Sequence, residues 1–393
     1  MHVALVHLRH ARSGGTEGYL NQLAAYLLDH GHEVTVVCRS HAPDPATGLR
    51  FVVLRAPVPG KLARVWGFAR DVERHLASAS YDVVLGLGWT WSQHVIRLGG
   101  GCLGTHRLLA LDNGLPPSSG LPRLHLKIRL AEAIERRALA PGRYEHVIVN
   151  SEMVRRDAMR RYAIEPERIS VVYNGVDLER FDRGRHAEAA ATLRRDLGVA
   201  PAAPLIAFVA SSYDRKGLDT LLAALPDVLA AQSETTLLVV GNDSRQHTYE
   251  RLAHRLGIAD ACRFAGGRSD VATCLAAADL FALPTRYDPF ANVTLEALAS
   301  GVPVLTTPTN GASEIVDDGT HGAIVADRNP GSWTRALVAW VRRCRDDATR
   351  AACRARAERH PAARAAYESI AILEAVAARR GSSRPDRMLA SSG

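Results

Sequence analysis

The chain is poor in several residue types and patterns, and each shortage narrows its class. Its 393 residues hold six scattered cysteines, Cys38, Cys102, Cys262, Cys274, Cys344 and Cys353, with no C-x-x-C pair. That spacing excludes a disulfide framework and a zinc knuckle, and it suits a reducing cytoplasm. No apolar run reaches the roughly 18 residues that a membrane-spanning helix needs. The opening MHVALVHLRHARSGG has neither a basic start nor a cleavage site, so it reads as a first strand rather than a signal peptide. Lysine is scarce: Lys61, Lys127 and Lys216 are the only three among 49 basic residues. The arginine excess has the compositional look of a GC-rich genome. The net charge of +8 comes with 6% aromatics and no nucleic-acid module, so no nucleic-acid partner is expected.

Length and pattern then say more. A chain of 393 residues exceeds one core, and 47% hydrophobic content can fill two. Short apolar runs alternate with amphipathic stretches. The strand candidates are 2–8, 33–39, 82–88, 146–150 and 168–174, then 205–211, 236–242, 262–266, 280–284 and 303–307. Alternation of helices with near-continuous apolar strands predicts parallel sheets covered on both faces. The two series are separated by a polar stretch near 178–200, which predicts two doubly wound domains. The tail GSSRPDRMLASSG has the composition of a disordered end.

In such sheets ligands bind beyond the carboxyl ends of the strands, so the loops there carry the chemistry. After the first strand, Gly14 and Gly15 in SGGTEGYL permit close backbone approach to a ligand, or simply a tight turn. GGGCLG at 99–104 matches a dinucleotide fingerprint formally, but no acid follows about 20 residues later to hold a ribose. In SSYDRKGLDTLL, Arg215 and Lys216 precede a helix start, a pairing suited to pyrophosphate. A solvated helix start is the plain alternative. Gly266 and Gly267 make a turn that positions Arg268 over the strand ends. In PTRYDPFANVTLEALASGVPV, Asp288 precedes Pro289 and so belongs to a loop. Asn292 is a plausible N-cap, which places Glu296 in the first turn of the next helix. Compensation of the helix dipole could account for Glu296, and an Asp-Pro turn could account for Asp288. Taken together, cations for phosphates and carboxylates for hydroxyls describe a nucleotide-sugar site.

Over nearly all its length, and most strongly from 205 to 325, the chain resembles the retaining glycosyltransferases of family four. FVASSYDRKG resembles their pyrophosphate loop. SEMVRRDAMRRY and ISVVYNGVD resemble the segment leading into their interdomain connection. YDPFANVTLEALASGVPV resembles their E-x7-E motif, with Asp288 in place of the first glutamate. DRKG, GGRSDV and the TT after PVL are most similar to the lipopolysaccharide core glucosyltransferases. The resemblance implies a GT-B fold, two Rossmann-like α/β domains facing a central cleft. It implies that Asp288 holds the donor sugar's hydroxyls, that Glu296 grips the ribose, and that backbone amides of Phe290, Ala291, Asn292 and Val293 meet sugar and phosphates. Arg215 and Lys216 would neutralise the pyrophosphate and Arg268 would contact the base. Gly14 and Gly15 would approach the donor phosphate, and His106 would be the acceptor-side histidine. Tyr19 and the glycines at 99–101 stand where the core glucosyltransferases carry acids.

The expected divisions are an acceptor-binding domain over 1–180, a connection over 181–200 and a donor-binding domain over 201–360. A helix over 361–380 would pack back on the first domain, and a tail would run over 381–393. The expected activity is metal-independent transfer of a hexose from a nucleotide sugar, a UDP-sugar, to a glycan or lipid-linked acceptor with retention, in cell-surface polysaccharide or lipopolysaccharide synthesis. No D-x-D triplet occurs, and no cofactor is expected beyond the donor itself. A sugar-nucleotide epimerase and a non-catalytic binding module remain the competing classes. The basic amphipathic stretch at 121–139 suggests a cytoplasmic enzyme that touches the inner leaflet, with a plain solvated helix as the alternative. Leu124, Ile128, Ala131 and Ala138 lie near one face of it, with Arg129, Arg136 and Arg137 elsewhere.

Overall fold

The structure is a computed structural model that describes residues 1–11, 14–42, 48–55, 60–112 and 122–382. The chain divides into two compact units, Met1–Tyr173 with Ala363–Gly393, and Asn174–Ala362. The main sheet of the first unit has seven strands: β1 (His2–Val6), β2 (Glu33–Cys38), β3 (Arg50–Val53), β4 (Val83–Gly86), β5 (Val95–Arg97), β6 (His146–Val149) and β7 (Ile169–Val171), and Arg9–His10 pairs separately with Ser40–His41. Their order is β3-β2-β1-β4-β5-β6-β7. β1 runs parallel to both neighbours, with Val3 opposite Val34 on one side and Val83 on the other. Its residues feed two cores in turn. Val3 and Leu5 pack with Leu20, Leu23 and Leu27 of helix α1 (Gly15–Asp29). Ala4 and Val6 pack with Phe68 and Val72 of α2 (Lys61–Ser78). Burial on both faces is why β1 reads as an apolar run instead of an alternation. Helices α3 (Leu103–Asp112) and α4 (Pro122–Ala138) follow β5.

The second unit repeats the scheme with six strands: β8 (Leu205–Val209), β9 (Thr236–Val240), β10 (Cys262–Phe264), β11 (Leu280–Leu283), β12 (Val304–Thr306) and β13 (Gly322–Ile324). Their order is β10-β9-β8-β11-β12-β13, and every pairing is parallel. Three helices matter for the site: α5 (Tyr213–Lys216), α6 (Leu218–Ala231) and α7 (Asn292–Ala299). The last helix, α8 (Ala362–Ser382), returns to the first unit, where Ala365, Ile370, Leu373 and Val376 share a core with Val3 and Leu5.

All ten strands expected from the sequence are present, and in the two main sheets β3, β5 and β13 are additional. Those three are three or four residues long and contain an arginine or a glycine, which leaves too little apolar signal to separate them from loops. The six cysteines are free and buried. Among the described residues no helix is long and apolar enough to cross a membrane.

Candidate functional site

The second unit gathers its chemistry in the loops beyond the carboxyl ends of β8 and β11. After β8 the backbone turns sharply. Ser212 sits at φ +126, outside the range that non-glycine residues favour, and such strain collects at functional loops. The Tyr213 amide is tied down by donating to Asp243 Oδ2 at 2.7 Å. α5 makes one turn and stops at Gly217, which adopts φ +81; a Cβ there would run into the carbonyl oxygen of Pro284. Glycine alone lets the β8 loop press against the β11 loop. Arg215 and Lys216 thus occupy a helix of their own, where the sequence had suggested a stretch ahead of the helix.

That contact delivers both cations to Asp288. Arg215 Nη1 donates to Asp288 Oδ2 at 2.9 Å and to the Tyr287 carbonyl at 2.9 Å. Lys216 Nζ donates to the same Oδ2. Asp288 Oδ1 accepts from the Phe290 amide at 3.1 Å. Burial would raise the Asp288 pKa, yet the two cations hold it below the usual carboxylate range. Lys216 moves down, through burial first and then repulsion from Arg215. The sequence reading assigned cations to phosphates and acids to hydroxyls. In the structure the acid and the cations form one cluster, in which Lys216 and Asp288 are buried and Arg215 is 38% exposed.

α7 corrects two expectations. Its N-cap is Ala291, without a side-chain cap, and Asn292 is the first helical residue. Glu296 therefore lies beyond the first turn, which contains no acid. The capping work falls to Asn310, whose signal lay unread in the polar run TTPTN that starts at the last residue of β12. Asn310 is fully buried; its Oδ1 accepts from the amides of Ala291 and Ala312, both at 3.1 Å. Its Nδ2 donates to Thr294 and Thr306 hydroxyls, both at 3.0 Å. Every polar valence of the side chain is thereby used to fix the loop. The amides of Phe290 and Ala291 are committed to Asp288 and Asn310, and those of Asn292 and Val293 open α7, where no helical carbonyl precedes them. Burial pushes the Glu296 pKa up to about 7, against the opposing pull of Arg180.

Arg268, beyond β10, is clamped by its own neighbour: Nε and Nη2 donate to the two Asp270 oxygens at 2.9 and 2.6 Å. The Gly267 amide beside it donates to Asn242 Oδ1 at 2.8 Å.

Gly14, Gly15 and His106 lie in the first unit. Gly14 adopts φ +133 before α1, with the Glu17 carboxylate where its Cβ would stand, and Gly15 opens the helix into free space. His106 Nε2 lies 2.7 Å from the Gly100 carbonyl oxygen and so closes the glycine turn at 99–101. Sequence reasoning gave no role to Arg97. Its guanidinium carbon lies 3.6 Å from the centre of the Tyr19 ring, and its Nη1 fills the space where a Gly99 side chain would stand. The two positions where acids were expected from the resemblance therefore meet at one buried arginine. Of the basic stretch at 121–139, the side chains of Leu124 and Ile128 lie outside the described residues. Ala131, Ile134 and Ala138 are buried, while Arg136 pairs with Glu132 and Arg137 with Glu73.

Comparison with known proteins places this arrangement. Residues 13–180 match the model described as Glycosyltransferase Family 4, and residues 203–343 match Glycosyl transferases group 1. A D-inositol 3-phosphate glycosyltransferase of Actinosynnema mirum is 30% identical over 363 residues, covering 83% of each chain. The chain belongs to glycosyltransferase family four. The crystal structure of WaaG, a glycosyltransferase involved in lipopolysaccharide biosynthesis, shares its fold with a TM-score of 0.79 at 24% identity, over 94% of this glycosyltransferase and 99% of that chain. Anabaena Alr3699/HepE in complex with UDP and glucose gives 0.70 at 20% identity, over 95% and 100%. The glycosyltransferase thus has the GT-B fold, built from two Rossmann-like parallel-sheet units.

Proposed function

We propose that this glycosyltransferase moves a hexose from a UDP-sugar to a glycan or lipid-linked acceptor with retention of configuration, in cell-surface polysaccharide or lipopolysaccharide synthesis. The observation that carries the donor assignment is the cluster of Arg215, Lys216 and Asp288 at the carboxyl ends of β8 and β11. Arg215 reaches solvent while anchored through Asp288, so it can meet a diphosphate without giving up its position. As the sugar bond breaks, charge grows on the departing UDP, and a cation held in place stabilises that state more than the ground state. The amides of Asn292 and Val293 add the positive end of α7. Glu296 accepts from the ribose hydroxyls when ionised, and Asp288 orients the donor sugar. Arg268 lies against the base, Gly14 and Gly15 approach the phosphates, and His106 serves the acceptor side. The fold shared with a protein bound to UDP and glucose supports UDP as the nucleotide.

On this reading the cations do the work that a divalent ion does elsewhere, and no cofactor takes part. The enzyme is cytoplasmic, and exposed arginines such as Arg129 and Arg136 on α4 draw it to an anionic inner leaflet. Calorimetry with UDP, followed by UDP release from a donor panel with and without acceptor extracts, tests the assignment. UDP should bind, and release should depend on acceptor and survive EDTA. Absence of UDP binding sinks the donor site. Loss of activity on chelation, restored by manganese or magnesium, sinks the metal-free mechanism.

A further inference from the structure

Arg215 and Lys216 ride on a helix too short to hold itself. α5 has four residues, Tyr213–Lys216, and ends at Gly217 before α6 begins. A single turn nucleates poorly and leaves its last carbonyls short of helical partners, so much of its hold must come from outside. Arg286, in the β11 loop, supplies it. Its backbone amide donates to the Arg215 carbonyl at 2.8 Å, and its Nε donates to the Asp214 carbonyl at 3.0 Å. Its Nη2 donates to Asp219 Oδ2 at 3.0 Å, in the first turn of α6, and lies 3.5 Å from Asp214 Oδ1. The Thr285 hydroxyl adds a second bond to the Arg215 carbonyl at 3.1 Å. From beyond β13, Arg328 Nη2 donates to the same Asp219 oxygen at 3.2 Å and to the Thr220 hydroxyl at 3.3 Å. The Arg286 side chain is 18% exposed, so these bonds form largely out of water.

The β11 loop therefore grips α5 in two ways. Asp288 pairs with the side chains of Arg215 and Lys216. Arg286 instead takes the backbone, at the carbonyl end of the turn, where a positive charge is favoured. Its bonds are charge-assisted and point in several directions from one planar group, which fixes orientation as well as distance. A turn free to roll would carry both cations away from their setting, so the backbone clamp matters as much as the ion pairs. We propose that Arg286 is a positioning residue for the donor's pyrophosphate: it acts through Arg215, by fixing the backbone from which that guanidinium reaches the second phosphate. The proposal rests on the glycosyl-transfer reading above and adds a residue behind its donor site.

The test uses the full chain and two probes, UDP and UMP, which differ by the phosphate that Arg215 would meet. Calorimetry on the wild type should show UDP bound roughly tenfold tighter than UMP or better, the scale of one charged hydrogen bond. Arg286→Met keeps the backbone amide and much of the side chain's length but removes its donors. It should lower that preference roughly fivefold or more. Arg215→Gln should lower it as well, and the double variant should fall no further than Arg215→Gln alone, because both changes disable one contact. A merely structural role for Arg286 weakens both nucleotides together and leaves their ratio intact. Arg286→Lys keeps the charge beside Asp219 and loses the forked donor set; it should lower the ratio too, and it serves if Arg286→Met does not fold. An unchanged ratio in a folded Arg286 variant overturns the proposal, and so do additive losses in the double variant. A wild type that binds UDP and UMP alike removes the donor reading and this role with it. A wild-type preference that Arg286 does not influence removes the positioning role alone.

Discussion

Two aspartates, nine residues apart, bracket β11 and resemble each other until their surroundings are compared. Asp279, ahead of the strand, is met by Arg194, Arg345 and Arg350 and by the Leu205 amide at 3.0 Å. Asp288, beyond the strand, is met by Arg215, Lys216 and the Phe290 amide. Both are buried and both gather cations. Arg194 and Arg345 spend further donors on carbonyls at 201, 203 and 277, which stitches the base of the sheet together, while Arg350 meets Asp279 alone. At Asp288 the cluster stands on a strained serine and an obligatory glycine, and its arginine faces outward. The same residue chemistry thus makes a rivet at one end of a strand and, on the function proposed above, an anion site at the other. What separates them is that Arg194 and Arg345 are tied to backbone carbonyls, whereas Arg215 is 38% exposed.

The sharpest way to break this comparison is Asp279→Ala. It strands three arginines around a buried gap and should cost about 3 kcal/mol, the low end for removing one partner of a buried ion cluster because the arginines are partly exposed. Urea unfolding reads the loss, and turnover per folded molecule should stay near wild type. A large fall in turnover would make the rivet catalytic. Asp288→Asn should do the reverse. It keeps an acceptor for the Phe290 amide and should cost about 1–2 kcal/mol of stability. Turnover should fall about a hundredfold, a change of about 2.7 kcal/mol, with UDP affinity nearly unchanged. Wild-type turnover there would demote Asp288 to a turn residue. Gly217→Ala tests the geometry beneath. The added methyl meets Pro284 in a left-handed backbone and should cost about 2 kcal/mol, with at least a tenfold loss of turnover as the cations leave Asp288.

The smallest effect separates Asp288 from Glu296 by pH. Asp288 has a lowered folded pKa, so its contribution is present above the unfolded value of about 3.9 and disappears as pH falls through the folded one. Glu296 is raised to about 7 by burial. Its contribution is complete below about 4.3 and is lost as pH rises through about 7. Glu296→Gln should flatten part of the stability decline between those values, though Glu135, also pushed up to about 7 by burial, retains its share. The wild type should gain UDP affinity from pH 6 to 8 as Glu296 ionises, and Glu296→Gln should not. Parallel pH curves for the two proteins would return Glu296 to a structural role.

Much of this was legible beforehand because strand burial on two faces writes long apolar runs. Gly217 and Asp288 could likewise be singled out, since a glycine after cations and an acid before a proline are local signals. Asn310 was not singled out because its four partners come from three separate segments. Asn292 misled because a side chain suited to capping lost the position to a distant asparagine. The pairing of Asp288 with its cations was hidden for a related reason, since sequence gives the members of a cluster and not their mutual distances.

The return of α8 to the first unit carries a consequence in time. Ile370, Leu373 and Val376 belong to the same core as Val3 and Leu5, so the first half of the chain holds an unfinished core while the ribosome makes nearly two hundred more residues. The second unit, made from a continuous stretch, has all of its own residues before that helix emerges. Birth order and completion order are therefore reversed: the part synthesised first is sealed last. A nascent chain halted just before α8 would display the apolar surface that this helix covers, with its second unit already complete.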